Sequence, residues 1–504
     1  MAERPTYLLG LDAGNTVIKA VLFDLQGRQV AMHALDGKSS TPSPGHVERD
    51  LNELWDNART AIRACVTEAG VDPAQIVAIG CAGHGNGLYL LDKAGDPLIG
   101  IQSLDTRAAD LALELRGAHG EELHALCRQE PWPSQTPVLL GWIKKHRPDL
   151  YQRTGTVLLC KDFITFRLTG ERVSEISDMS GCGLTRIPEC IYDDRLLGLY
   201  GLSDAREMLP RLIQPADIAG RVTARVAAET GLAEGTPVIG GYFDVISSAL
   251  GSGVVRDGEA SLIAGTWSIN QVFSSQPVDD RRVFMVSGFA PGRFVNIESS
   301  ATSAANLEWY VRELVERGGH HDDPFGACNA RIAEVIPAAD DPFFHPFLYG
   351  SGQGADFRAG FYGLAGWHTE GHLLRALFEG VLFEHRRHVE VLASSGSIFD
   401  RAVLSGGGSR SAVWPQMFAD CLGVPITVAE ARETGALGAA IGAAIGVGLF
   451  PDYEAAVSVM TRAKREYLPD AARKAHYDRR FRIYRKLTEA LAPLWAEMQS
   501  AGSA

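Results

Sequence analysis

A chain of 504 residues carrying a formal charge of −13 is too long for one ordinary domain and too acidic to hold nucleic acid or an anionic membrane through its overall charge. At about 100–200 residues per domain, two to four domains are expected. With 46% hydrophobic and 22% charged residues, the composition is that of a globular protein rather than a disordered or fibrous one. The eight cysteines are scattered without a Cys-x-x-Cys pair, which predicts reduced thiols in a cytoplasmic protein rather than disulfides or a zinc site. Met1 to Thr6 shows no charged segment leading into an apolar one, so no secretory leader is expected. The most apolar stretch, Gly435 to Phe450, is shorter than the ~20 residues a membrane span needs and predicts a buried, closely packed helix instead.

In chain order, the apolar run Leu8 to Leu11 ends in Asp12, a Gly14-Asn15-Thr16 turn follows, and Val17 to Asp24 leaves it. This pattern predicts a β-hairpin whose turn offers a glycine, an amide and a hydroxyl to an anion. Asp12 at the strand end has the chemistry to hold a hydrated Mg²⁺ facing that anion. Gln29 to Ala34 predicts a third strand. Leu51 to Ala69 has helical spacing, with Leu51, Leu54, Trp55, Ala58, Ile62 and Val66 on one face. Ile76 to Cys81 predicts a short buried strand, Gly83 to Gly87 a loop carrying His84 and Asn86, and Leu88 to Asp92 another strand. Meander, helix and buried strand together predict an α/β domain with a mixed sheet, whose ligands sit at strand ends. Asp105 opens a helix as its N-cap or contacts a ligand. Lys161-Asp162 and Ser174 to Asp178 are polar clusters that read as surface caps and turns.

Further along, Thr236 to Ile239 runs into Gly240-Gly241 and then Asp244, with a helix expected from Val245 to Gly251. Asp244 is a helix cap or a general base, and one carboxylate can serve both roles. The opening pattern then returns: Ala260 to Ala264, the turn Gly265-Thr266-Trp267-Ser268, and Ile269 to Phe273. This predicts a weak internal duplication into two similar α/β domains, each presenting a phosphate-gripping hairpin to a shared cleft. Arg401 to Leu404 feeds Gly406-Gly407-Gly408 and Ser411, ahead of a helix marked by Trp414, Met417, Phe418 and Leu422. Consecutive glycines there permit close backbone approach of a ligand. His385 and His388 have the spacing of a metal pair but lack a third ligand, so an exposed or half-buried helix face is expected. Tyr467 to Glu497 predicts a charged C-terminal helix.

Taken together, these motifs resemble the FGGY carbohydrate kinases of the actin-like ATPase superfamily, over about residues 6 to 490. The second signature of that family is matched by Ala359 to Leu364, His372-Leu373 and Ala376 to Glu379. The resemblance implies an α/β fold of two ribonuclease-H-like domains, 6–252 and 253–490, with a cleft between them. It implies transfer of the γ-phosphoryl group of ATP to a sugar hydroxyl, with Mg²⁺ and with Asp244 as catalytic base and, with Asp12, metal contact. Nucleotide contacts would come from Asp12, Gly14, Asn15, Thr16, Lys19, Gly265, Thr266, Gly406, Gly407, Gly408, Ser411 and Met417. Sugar contacts would come from His84, Asn86, Asp105 and Asp244. The loop at His84-Gly85-Asn86-Gly87 and the run Phe347 to Gln353 depart from the D-xylulose and glycerol kinase patterns. They are most similar to the L-xylulose kinase branch, and Gly-Tyr-Phe-Asp-Val at Asp244 fits that branch too. The expected function is phosphorylation of the terminal hydroxyl of a small ketose such as L-xylulose. The alternatives are an erythritol-type polyol kinase, a D-xylulose kinase, or an ATP-dependent sugar sensor on the same scaffold. No nucleic-acid or membrane partner is expected; a homodimer is common among such kinases, and the sequence leaves that open.

Overall fold

The computed structural model describes residues 5–319, 322–354 and 356–502. Met1 to Arg4, part of the N-terminal segment read for a leader, lie outside the described residues. The chain forms two compact units that are not contiguous in sequence. The first is Met1–Asp257 with Phe273–Asn296 and Ala431–Arg462, and the second is Gly258–Val272 with Ile297–Glu430 and Ala463–Ala504. Residues 431–462 pack with the first unit. The reason is the packing of the helix Thr434–Gly446 described below.

The first unit is built on a mixed sheet. The strands Tyr7–Ala13, Val17–Asp24 and Gln29–Asp36 form an antiparallel meander, as the turn residues between them require. The strand Ile76–Gly83 joins parallel to the first, with Asp12 opposite Ala82 and Ala13 opposite Gly83. Beyond it, the short strand Tyr242–Phe243 also runs parallel, with Tyr242 opposite Ala82 and Phe243 opposite Gly83. Three parallel strands therefore end at one edge in register. One face of the sheet is covered by the helix Leu51–Ala69, whose six expected core positions are all buried.

Against the first and fourth strands lies the helix Thr434–Gly446, buried from Gly435 to Ala444. It is so close that glycine is obligatory on both sides. A Cβ on Gly10 would fall 2.0 Å from the Ala436 carbonyl oxygen, and one on Gly80 would fall 2.0 Å from that of Ala439. On the helix itself, a Cβ on Gly438 would meet the Ser247 carbonyl oxygen at 1.8 Å. The expected buried helix is present, ending at Gly446 rather than Phe450.

The second unit holds the hairpin of Glu259–Ala264 and Ser268–Ser274 as far as Val272, turning at Gly265-Thr266-Trp267. Arg401–Ser405 lies parallel to its first strand, followed by Ile426–Ala429 parallel and Ala463–Tyr467 antiparallel. A hairpin with a parallel strand beside its first arm thus occurs in both units, as the repeated turn predicted. The C-terminal helix runs Ala471–Gly502; Tyr467 is the end of the strand before it, because its segment pairs with Ile426–Ala429. No helix among the described residues is long and apolar enough to cross a membrane.

Gly10→Ala is expected to destabilise the protein by about 1–3 kcal/mol, since backbone must move to admit the methyl group. Gly14→Ala, where a Cβ meets nothing nearer than 3.5 Å, should stay within about 0.5 kcal/mol. Urea unfolding of the two variants checks the pair.

Candidate functional site

In the first unit, the edge where the three parallel strands end carries the expected chemistry. Asp12 sits on the first strand, the loop Gly83 to Gly87 leaves the middle one, and Asp244 follows Phe243 on the third. At about 4.8 Å per strand, the rows holding Asp12 and Tyr242 are about 10 Å apart, with the middle strand between. Asp244 is the first residue of the helix Asp244–Gly251, and Phe243 occupies the N-cap position without a side-chain cap bond. The capping alternative for Asp244 therefore does not apply.

Both carboxyls are half-buried and held above their ordinary range. Burial lifts Asp12 to about 6, opposed by Lys19 and aided by Glu433. Asp244 rises to about 8, first through burial and then through the Asp12 charge, while the Val245 backbone N–H lowers it. Two carboxyls that repel each other in a poorly solvated edge are what a divalent cation relieves. A Cβ on Gly435 would fall 2.3 Å from Asp12 Oδ2, so glycine there keeps room for the carboxylate. These donors fit a Mg²⁺ held by one or two carboxylates, water and phosphate. No cluster of three or more His, Cys, Asp or Glu suited to an all-protein metal cage occurs among the described residues.

The turn beside Asp12 is partly engaged already. Gly14 N–H donates to Val17 O at 3.0 Å, so it closes the hairpin rather than standing free for an anion. Asn15 Nδ2 donates to Ser103 Oγ at 3.0 Å, and Lys19 Nζ pairs with Glu433 at 2.6 Å. Thr16 is exposed.

His84 and Asn86 are buried in the neighbouring loop. His84 Nε2 lies 2.7 Å from Tyr89 Oη, and burial lowers its pKa to about 4, so the ring is neutral near pH 7. Asn86 takes a left-handed backbone at φ 61°, which asparagine tolerates. Its Oδ1 is buried with no protein partner. Asp105 differs from expectation. It does not cap a helix, for the next one is Ala109–Cys127 with Ala108 at its N-cap. It is fully buried and accepts from Val47 N–H at 2.6 Å and from the Arg107 backbone and guanidinium. Its oxygens fasten the loop to Val47 and Arg107.

Sequence reasoning missed one group altogether. Lys161, Asp162, Glu175 and Asp178, read as surface turns, are fully buried together. Lys161 Nζ lies 2.6 Å from Asp162, 3.1 Å from Glu175 and 3.2 Å from Asp178. Burial alone would push the ammonium down, but the carboxylates around it hold it well above its ordinary value. Asp178 accepts no well-aligned hydrogen bond, and burial drives its carboxyl far up. The one available signal was the placing of each charge between apolar runs with no room for a surface loop.

In the second unit, Gly265 N–H donates to Trp267 O, its carbonyl accepts from Ala304 N–H, and Thr266 is exposed. A Cβ at Gly265 meets nothing nearer than 3.8 Å, so internal packing does not demand glycine there. Behind this turn lie His385 and His388, fully buried rather than exposed. Asn270 joins them: its Nδ2 donates to His388 Nδ1 at 2.9 Å, and its Oδ1 accepts from His385 Nδ1 at 2.8 Å. That assigns opposite tautomers to two neutral rings, whose pKa values burial depresses. The other nitrogens of the two rings meet Ser303 and Ser300, so all four are engaged in hydrogen bonds within the protein.

Gly406 has φ 81° and lies against the Ala264 backbone, where a Cβ would meet it at 2.9 Å. Gly407 is exposed, while a Cβ on Gly408 would fall 2.7 Å from that of Ala264. Ser411 Oγ donates to Asn329 Oδ1 at 2.6 Å and accepts from the N–H groups of Val413 and Trp414, just ahead of and at the start of the helix Trp414–Leu422. Met417 is buried in that helix.

Family models match both halves of the chain: the N-terminal domain of the FGGY family of carbohydrate kinases over residues 7–251, and its C-terminal domain over 260–447. The L-xylulose/3-keto-L-gulonate kinase of Escherichia coli is 36% identical over 98% of this chain and 99% of its own. The erythritol kinase of Brucella abortus is 28% identical over 99% of both chains. The crystal structure of xylulose kinase from Rhodospirillum rubrum superposes with a TM-score of 0.89 at 32% identity, covering 97% of this chain and all of that one.

The raised carboxyl of Asp244 has a consequence for stability. An acid whose folded pKa of about 8 exceeds its ordinary 3.8 stabilises the fold fully below about pH 4 and loses that contribution as pH rises through 8. In metal-free buffer, Asp244→Asn is therefore expected to raise the melting temperature at pH 8–9 relative to the parent, and to have little effect near pH 4. Differential scanning calorimetry across that range checks the sign.

Proposed function

The chain is an ATP-dependent carbohydrate kinase of the FGGY family, and from that premise we propose that it phosphorylates the terminal hydroxyl of a small ketose, most simply a ketopentose such as L-xylulose, with Asp244 as general base. The observation that carries this reading is the pair Asp12 and Asp244. Both are carboxyls raised by burial at the edge where three parallel strands end, beside the hairpin turn that exposes Thr16.

An alkyl hydroxyl becomes an adequate nucleophile when its proton has an acceptor. In the proposed reaction Asp244 takes that proton as the sugar oxygen bonds to the γ-phosphorus and the bridging bond to ADP breaks. Ionised Asp244 is required, and a raised pKa makes the ionised carboxylate the stronger proton acceptor. Mg²⁺, held by Asp12 with Asp244 close by, would neutralise phosphate charge. The exposed hydroxyls of Thr16 and Thr266 are the proposed phosphate donors on their turns, with Asn15 and Lys19 in the first unit; Gly14 in the first unit and Gly265, Gly406, Gly407 and Gly408 in the second would let the nucleotide approach the backbone without a side chain in the way. Lys19 must release Glu433 to reach a phosphate. Ser411 and Met417 would act from behind, by shaping the helix start.

For the sugar, the unpartnered Oδ1 of Asn86 offers an acceptor, and the neutral His84 ring, its nitrogens engaged with Gly85 O and Tyr89 Oη, offers a wall. The L-xylulose kinase relative supports a ketose, and the erythritol kinase relative supports a polyol as the competing substrate class.

A coupled ADP-release assay with Mg·ATP, run across ketopentoses, 3-keto sugar acids, tetritols and pentitols, is expected to show strongest turnover on a ketopentose. Preference for a tetritol would reassign the substrate. ATP binding without sugar-stimulated ADP release would favour a sensor. Asp244→Asn should lower kcat by on the order of 10²–10⁴-fold while leaving ATP binding in place; undiminished turnover would remove Asp244 as the base.

A further inference from the structure

The residue just ahead of the proposed base is held from several sides by groups that touch no reacting atom. Phe243 belongs to a two-residue strand paired with Ile76–Gly83. Its backbone N–H donates not to another strand but to Ser177 Oγ at 3.1 Å. Ser177 Oγ donates in turn to Glu175 Oε1 at 2.8 Å, the same oxygen that Lys161 Nζ approaches at 3.1 Å. The carbonyl of Ser177 accepts from Ser287 Oγ at 2.6 Å. The Phe243 ring lies where side chains on two flanking segments would be: a Cβ on Gly85 would fall 2.5 Å from it, and one on Gly181 would fall 3.2 Å from it. Just upstream, Gly240 packs against Glu175, where a Cβ would meet that of the acid at 3.2 Å.

Ser177 is fully buried and is not among the groups assigned above to sugar, nucleotide or metal. Its hydroxyl has one donor and two acceptor sites, and both kinds are used here: it accepts from Phe243 and donates to Glu175. Alanine at this position would leave the Phe243 N–H without its partner and the backbone ahead of Asp244 free to pivot about a two-residue strand. A base must lie within hydrogen-bond reach of the proton it removes, and a misplacement of about 1 Å can cost 10²-fold in rate.

We propose that Ser177 is a positioning residue for Asp244. It fixes, through the Phe243 N–H, the backbone from which the carboxylate is presented, and it is itself locked by the buried Lys161–Glu175 pair. The proposal rests on the reading of Asp244 as the base.

A double-mutant cycle tests it. Ser177→Ala, Asp244→Asn and the combined variant are assayed by ADP release at saturating Mg·ATP, with the panel sugar that turns over fastest. Ser177→Ala is expected to lower kcat about tenfold or more, to leave the KM for Mg·ATP within about twofold, and to have no further effect in the Asp244→Asn background. An equal loss in both backgrounds, no loss in the parent, or a loss confined to the KM for Mg·ATP would overturn the positioning role. Full activity of Asp244→Asn would instead overturn the base assignment on which it rests. If Ser177→Ala does not fold, Ser287→Ala takes its place, because it removes a different support of Ser177. A several-fold loss of kcat that disappears in the Asp244→Asn background is expected, and unchanged kcat in the parent background would overturn the proposal.

Discussion

Backbone touches backbone where the helix Thr434–Gly446 crosses the first unit, and the site depends on that contact. Gly10 and Gly80 on the strands and Gly438 on the helix have no room for a methyl group. At such range the helix behaves as a continuation of the sheet rather than a cover laid on side chains, and interior packing of this density transmits displacement rather than absorbing it. The same helix begins at Thr434, next to Gly435, against which the Asp12 carboxylate lies, and just after Glu433, which pairs with Lys19. Fixing the helix therefore fixes the surroundings of Asp12. On its other side it packs against the helix that starts with Asp244, through the Ser247 carbonyl and the bond from Ser247 Oγ to Gly435 O.

The first unit buries charge in two opposed ways. Around Lys161, three carboxyls surround one ammonium, and hydrogen bonds from Ser174, Ser177 and the backbone complete the cluster. Such a cluster is a structural fixture, costly to break once one member is removed. Asp12 and Asp244 have no equivalent compensation. Their carboxyls carry the cost of burial and of each other, which raises both. In the proposed reaction a divalent cation held by these carboxyls would relieve that cost, and carboxyls perturbed in this way are a physical mark of a working site rather than a structural one.

Local patterns in the sequence carried the hairpins, the helix Leu51–Ala69 and the buried glycine-rich helix, because each is written in neighbouring residues. The same holds for Asp12 and Asp244, which close apolar runs at glycine turns. What stayed hidden depends on partners distant in sequence. Asp105 reads as a helix cap, yet its oxygens are taken by Val47 and Arg107. Lys161 and Glu175 read as two surface turns, yet they meet in the interior. His385 and His388 read as a half-exposed helix face, since nothing nearby in the sequence announces Asn270, which arrives from a strand. Tyr467 carries the helix-like charge pattern of its neighbours but is drawn into a sheet by an available strand edge.

The first unit is assembled from three stretches of chain, and the last of them, Ala431–Arg462, supplies the helix on which its sheet rests. A ribosome delivers the sheet strands long before it delivers that helix, at about 5–20 residues per second. During the interval the faces of Gly10 and Gly80 lack the helix backbone that meets them at such range, and most of the second unit is synthesised meanwhile. Completion of the edge that carries Asp12 and Asp244 is thus tied to near-completion of the chain, and a nascent product ending before residue 431 holds both residues without the helix packed beneath them.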